Sequence, residues 1–197
     1  MLFKFANKYF YQLTETLNSM DYTSIFNTIR DMQTVYNKHA NLFIFGNGGS
    51  ASTASHFTND LQKGVVSLNA KQTFKVMCLN DNIPLMTAWA NDNGYKTIFK
   101  KQLEPFIASD DMAIGISVSG MSLNVVEALN YARLHGAKTT ILTGSKGIIK
   151  SMDNNNVISV PSDDIQIVED AHLAICHCMY RYLRANVQGK DAYNSLH

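Results

Sequence analysis

Apolar residues along this chain follow two periods, and the switches between them lay out its elements. Up to residue 37 the spacing is helical. Phe10, Leu13, Leu17 and Met20 recur every three or four residues, and Ile25, Phe26, Ile29, Met32 and Tyr36 share a second helical face behind Asp21 or Thr23 as cap. Five short apolar runs follow, at residues 41–45, 74–79, 111–116, 139–143 and 157–160, and they read as buried strands. Helical stretches separate them. One runs from Ser50 to Gly64. The next is capped by Asp81 or Asn82, carries Pro84 in its first turn, and gives way to a turn at 91–94. Residues 95–107 are helical with a break near Pro105, and a further helix runs through Leu134. A short helix over 146–152, a loop over 153–156 and a long helix from Ile165 to Asn186 complete the chain.

Strands alternating with helices predict an α/β protein with a parallel sheet. The two N-terminal helices precede any strand they could cover. Either they pack on another subunit or they cap the domain.

Two strand exits carry chemistry. After residue 45 the chain reads Gly46, Asn47, Gly48, Gly49, Ser50, with Ser52 and Thr53 as further cap types. A glycine turn that opens a helix presents unpaired N–H groups, so it is a candidate phosphate or sugar-phosphate cradle; the plain alternative is a strand–helix turn. The third strand ends in Ser117, Ser119 and Ser122, three hydroxyls within one turn. Both turns fall at strand C-termini, on one edge of a parallel sheet, where open α/β sheets bind ligands.

Acids and imidazoles sit on the helices. His56 and Asp60 lie at i, i+4 on one helix face, placed either to share a metal ion or a proton, or to form a surface hydrogen bond. On the last helix, at about 100° per residue, Glu169 lies about 60° from His172 and about 80° from His177, on opposite sides. Glu169 and His177 are also separated by roughly 12 Å of rise, so both reach one ion only by leaning together. Cys176 and Cys178 point to different faces and are no metal pair.

Composition narrows the class. The 197 residues suit one domain with a sizeable core, and 46% hydrophobic against 17% charged is a globular balance. A formal charge of +1 offers no basic field for nucleic acid. Three clustered cysteines make no disulfide framework, the N-terminus lacks a signal-peptide pattern, and no apolar run spans a membrane. A reduced, cytoplasmic protein is expected.

The glycine turn at 46–50, His56 with Asp60, the serine turn at 115–122 and the segment 168–177 with Glu169 and His177 together resemble the sugar isomerase (SIS) domain. More narrowly they resemble the sedoheptulose 7-phosphate isomerase (phosphoheptose isomerase) family of bacterial surface heptose synthesis. The likeness covers nearly the whole chain. It implies a three-layer α/β/α sandwich with a five-stranded parallel sheet over 38–197. It also implies a homotetramer in whose packing the helices of 1–37 take part. It implies substrate binding at Asn47, Gly48, Gly49, Ser50, Asp60, Asn91, Asp92, Ser117, Val118, Ser119, Ser122 and Glu169. Catalysis falls to Asp60, Glu169 and His177, and one zinc per subunit to His56, Asp60, Glu169 and His177.

Three departures stand out. The family's helix carboxylate is usually Glu where Asp60 stands, shorter by about 1.5 Å. Glu169 replaces the usual Gln, and Val118 and Met121 replace polar residues of the serine turn. Either the two acid changes offset each other, or they mark another sugar phosphate or a metal-free site. The expected reaction is an aldose–ketose interconversion through an enediol, with Asp60 or Glu169 as base and His177 as acid. The alternative is a SIS binding module, a sugar-phosphate sensor or a partner of the replication initiator.

Overall fold

The computed structural model describes residues 1–68, 72–147 and 156–194. Its elements are α1 (Leu2–Asn18), α2 (Thr23–Asn37), β1 (Asn41–Gly46), α3 (Gly49–Gly64), β2 (Lys75–Cys78), α4 (Ile83–Asn93), a 3-10 turn (Tyr95–Thr97), α5 (Ile98–Leu103), β3 (Met112–Ile116), α6 (Leu123–Leu134), β4 (Lys138–Gly144), β5 (Asn156–Val160) and α7 (Ile165–Val187). The expected helix over 146–152 and loop over 153–156 lie largely outside the described residues; Ser145 and Lys146 form a turn closed by the Gly147 N–H on the Gly144 carbonyl.

The strands form one parallel sheet in the order β2-β1-β3-β4-β5. β1 is buried along almost its whole length, as a central strand covered on both faces must be. Side chains alternate across it. Leu42 and Ile44 face one core with Met32 of α2, Phe57 and Leu61 of α3, and Ile175 and Met179 of α7. Phe43 and Phe45 face the other with Phe99 of α5 and Val125 and Leu129 of α6. Phe45 and Phe99 stack at 5.0 Å between ring centroids. The result is the expected three-layer α/β/α sandwich.

The N-terminal helices divide. α2 contributes Ile25, Ile29, Met32 and Val35 to the core, whereas α1 buries no residue and leaves Leu2, Phe3, Phe5 and Phe10 exposed. Asn82 caps α4 by accepting from the Leu85 N–H at 3.1 Å. The turn expected at 91–94 is narrower than its composition suggests. Asn91 and Asp92 complete the last turn of α4, and only Gly94, at φ +83°, breaks it. α5 stops at Leu103; Glu104 still has helical dihedrals (φ −46°, ψ −44°), and Pro105 then has no N–H with which to continue the ladder.

In this order the chain leaves β1 toward one edge and β3 toward the other, so the topological switch lies between them. Gly46 and Ile116 are register partners at that point. The glycine turn and the serine turn therefore emerge side by side.

Candidate functional site

The two turns open onto a cleft of about 440 Å³. Asn47 and Ser50 line it from the glycine turn, Ser117, Val118, Ser119 and Ser122 from the serine turn, and Glu169 from α7. Gly48 adopts φ +55°, a left-handed value that glycine tolerates and that turns the chain into α3. Gly49 is small for another reason: a Cβ there would lie 2.6 Å from Glu169 Oε1. The Glu169 carboxylate thus lies directly over the start of α3.

Hydrogen bonds hold both turns. Asn47 and Asn124 exchange amide bonds, Nδ2 to Oδ1, at 2.9 and 2.8 Å, and the Tyr95 hydroxyl donates to Asn47 Oδ1 at 2.9 Å. Asn80 accepts from the Gly46 N–H and donates to the Gly46 carbonyl. Ser117 Oγ donates to Ser122 Oγ at 3.1 Å, and the Met121 N–H donates to Ser119 Oγ at 3.2 Å. The serine hydroxyls point at one another and are ready to turn toward an anion.

A second cluster sits where α3 and α7 meet. His56 Nε2 and His177 Nε2 face each other at 3.0 Å, and Asp60 Oδ2 lies 3.4 Å from the first and 3.7 Å from the second. A triangle with these edges has a circumradius of about 2.0 Å, a Zn–N or Zn–O bond length, so one ion could touch all three donors. Two imidazoles and a carboxylate are an ordinary zinc donor set. Asp60 is 19% exposed and both imidazoles are about half exposed, which leaves the cluster open on one side.

Of the four residues expected from sequence to hold metal, three come together here. His56, Asp60 and His177 form one group, and Glu169 stands outside it, over Gly49. Asn91 and Asp92 are exposed on α4, bonded to each other at 2.8 Å, and do not line this cleft. His172 is buried, and burial pushes its imidazole down to about 4, so it is neutral and takes no part in the cluster. Burial also pushes the Cys176 thiol well up, which makes it inert.

Several lining residues escaped the sequence reading. Gly144, Ser145 and Lys146 leave β4, and Ser162 and Asp163 leave β5; all line the cleft, and the β4 exit lies beside the serine turn. Their shared signal is position at strand C-termini, the feature that singled out the first two turns. Lys146 Nζ lies 3.0 Å from Asp163 Oδ2, and Ser145 Oγ donates to Asp163. The Ser145 hydrogen bond, then Lys146, holds the Asp163 carboxyl below its ordinary range.

Sheet order and cleft define a doubly wound α/β protein with a cleft at the switch point. Comparison with known proteins narrows the class. The SIS domain profile matches residues 7–144. A protein of Thermoplasma volcanium named probable phosphoheptose isomerase is 37% identical over 81% of this chain and 80% of its own. The phosphoheptose isomerase of Helicobacter pylori strain HPAG1 is 36% identical over 86% and 89%. A solved phosphoheptose isomerase structure from Francisella tularensis superposes with a TM-score of 0.81 at 28% identity, covering 91% of this chain and 96% of its own. The chain belongs to the SIS domain family.

Proposed function

We propose that this protein is an aldose–ketose isomerase that converts sedoheptulose 7-phosphate to D-glycero-D-manno-heptose 7-phosphate. The observation that carries this reading is the single cleft that joins the serine turn, the glycine turn and Glu169. The phosphoheptose isomerases among its relatives supply the substrate class. Ser117, Ser119 and Ser122 bind the phosphate, which fixes the reacting end of the sugar by distance. Asn47, Gly48, Gly49 and Ser50 hold its hydroxyls. Asn91 and Asp92, exposed on α4, serve a neighbouring subunit's site.

The reaction moves a proton between C1 and C2 through an enediol and needs a base at carbon and an acid at the carbonyl oxygen. Glu169 is the better-placed base, because its carboxylate is in the cleft while Asp60 is engaged with two imidazoles. His177 is the acid. His56, Asp60 and His177 would hold zinc, which supplies Lewis-acid polarisation of an oxygen when bound. One Nε2 cannot both ligate and donate, so metal content also decides whether His177 acts as the acid. The exposed apolar residues of α1 support a homotetramer, and the substrate supports a cytoplasmic role in surface heptose synthesis.

Incubating the purified protein with sedoheptulose 7-phosphate and identifying the product tests the reaction. Glu169→Gln and Asp60→Asn separate the bases. Loss of turnover in the first with KM retained supports Glu169; full turnover in the first and loss in the second transfers the role to Asp60.

A further inference from the structure

Among the described residues that line the cleft, Lys146 is the one that carries a positive charge, while Asp163 and Glu169 carry negative ones. The serine turn offers hydroxyls and N–H groups, all neutral. A phosphate monoester brings a charge of about −1.5 to −2 near pH 7. Without Lys146, that dianion would meet only carboxylates among the formal charges of the described lining residues.

Backbone packing carries Lys146 to the serine turn. The Gly144 N–H donates to the Val118 carbonyl at 2.9 Å, and Thr143 Oγ1 donates to the same oxygen at 3.3 Å. Three residues on, Gly147 meets Gly120 so closely that a Cβ on Gly120 would lie 2.4 Å from Gly147 Cα. Lys146 thus lies between two points at which the β4 exit is fastened to the phosphate turn. Its ammonium is paired with Asp163 in the absence of ligand, and the two side chains are 73% and 59% exposed. Water competes for both partners, so such a pair is weakly held and readily exchanged. Asp163 keeps Ser145 as a donor when the lysine leaves.

We propose that Lys146 is the charge partner of the substrate's phosphate: it rests on Asp163 while the cleft is free and transfers to the phosphate oxygens when a phosphorylated sugar enters. This deepens the isomerase reading and rests on its assignment of the serine turn to phosphate. The exchange makes the cleft selective for phosphate esters over free sugars, because a neutral sugar offers the ammonium nothing better than Asp163.

Inorganic phosphate, titrated and followed by phosphorus NMR, is the direct probe, with steady-state kinetics on sedoheptulose 7-phosphate beside it. A charge-assisted hydrogen bond lost from a partly solvated site is worth about tenfold in affinity. Lys146→Gln should weaken phosphate binding by about that factor and raise KM more than it lowers kcat. Lys146→Arg should restore most of the loss. Asp163→Asn should bind phosphate more tightly, since the competing carboxylate is gone. Unchanged phosphate affinity and KM in Lys146→Gln, beside a Ser119→Ala control that weakens both, would overturn the role of Lys146 and leave the isomerase intact. Equal weakening by Lys146→Gln and Asp163→Asn would overturn the exchange, making the pair a brace between two loops. A wild-type protein that binds no phosphate and turns over no sugar phosphate would overturn both readings.

Discussion

Replacing Gly120 by alanine probes one of the two points at which the β4 exit is fastened to the serine turn. Gly120 sits at φ +65°, a region that costs an L-residue about 1–2 kcal/mol. An added Cβ would also lie 2.4 Å from Gly147 Cα, 2.7 Å from Gly147 O and 2.8 Å from Thr143 Oγ1. Two of those atoms are backbone and cannot swing aside. Overpacking of this kind adds about 1–3 kcal/mol. Gly48 separates the two contributions, because it shares a positive φ, +55°, yet has nothing within 4 Å of its absent Cβ. Gly48→Ala should therefore cost about 1–2 kcal/mol and Gly120→Ala about 2–5 kcal/mol. At about 2–4 °C per kcal/mol for a domain of this size, Tm should fall by about 2–8 °C in the first and about 4–20 °C in the second. Thermal unfolding by circular dichroism measures both, with Gly189→Ala (φ +64°, open space) as a control far from the cleft. KM for the sugar phosphate should rise in Gly120→Ala as the serine turn separates from the β4 exit. Equal Tm losses in Gly48→Ala and Gly120→Ala would refute the packing of Gly147 on the turn.

Four further outcomes are expected. Gly49→Ala places a methyl 2.6 Å from Glu169 Oε1, the mobile end of a side chain, so Tm should move by less than about 3 °C while kcat falls about tenfold to a hundredfold; an unchanged kcat would detach Glu169 from the chemistry. His177→Ala removes a half-exposed ring and should leave the fold intact while lowering turnover at least about a hundredfold. Elemental analysis of His56→Ala should find zinc lost, and stoichiometric zinc in that variant would place the ion elsewhere. His172 titrates at about 4 when folded against about 6.5 when unfolded, so the unfolded chain binds the extra proton. Its contribution is complete above pH 6.5 and is lost as pH falls toward 4, by roughly 2–4 kcal/mol. His172→Phe should flatten that part of the stability profile; an identical acid limb in urea titrations would assign the loss to other groups.

The fold was legible wherever one periodicity held over a whole element. The alternation of Leu42 and Ile44 against Phe43 and Phe45 is that of a strand buried on two faces, and the two cores confirm it. The turn at 91–94 was misplaced because Asn and Asp are turn formers by local hydrogen bonding. In the folded chain Asn91 and Asp92 bond each other instead and α4 continues to the glycine. The site was legible at the two turns that carry glycine or serine clusters. It was not legible at Ser145, Lys146, Ser162 and Asp163, whose proximity to Ser119 depends on β4 lying next to β3 and β5 next to β4. Strand order is a long-range property, and residue spacing along the chain does not encode it.

The spacing conflict on α7 has a structural resolution. Eight residues separate Glu169 from His177, about 12 Å of rise, which made a shared ion improbable within one helix. On α3, seven residues separate Gly49 from His56, about 10.5 Å of rise. Glu169 packs on Gly49 and His177 on His56, so the two helices advance in the same direction and meet at two successive levels. The upper level opens into the cleft, and the lower one holds the two imidazoles with Asp60. A glycine is required at the first level because the carboxylate occupies the space of its side chain, and histidine at the second because the facing rings must reach across. The departures differ in kind at the two levels: Glu169 keeps the length of the usual Gln and adds a negative charge in the open cleft, whereas Asp60 shortens the usual Glu where two imidazoles face each other.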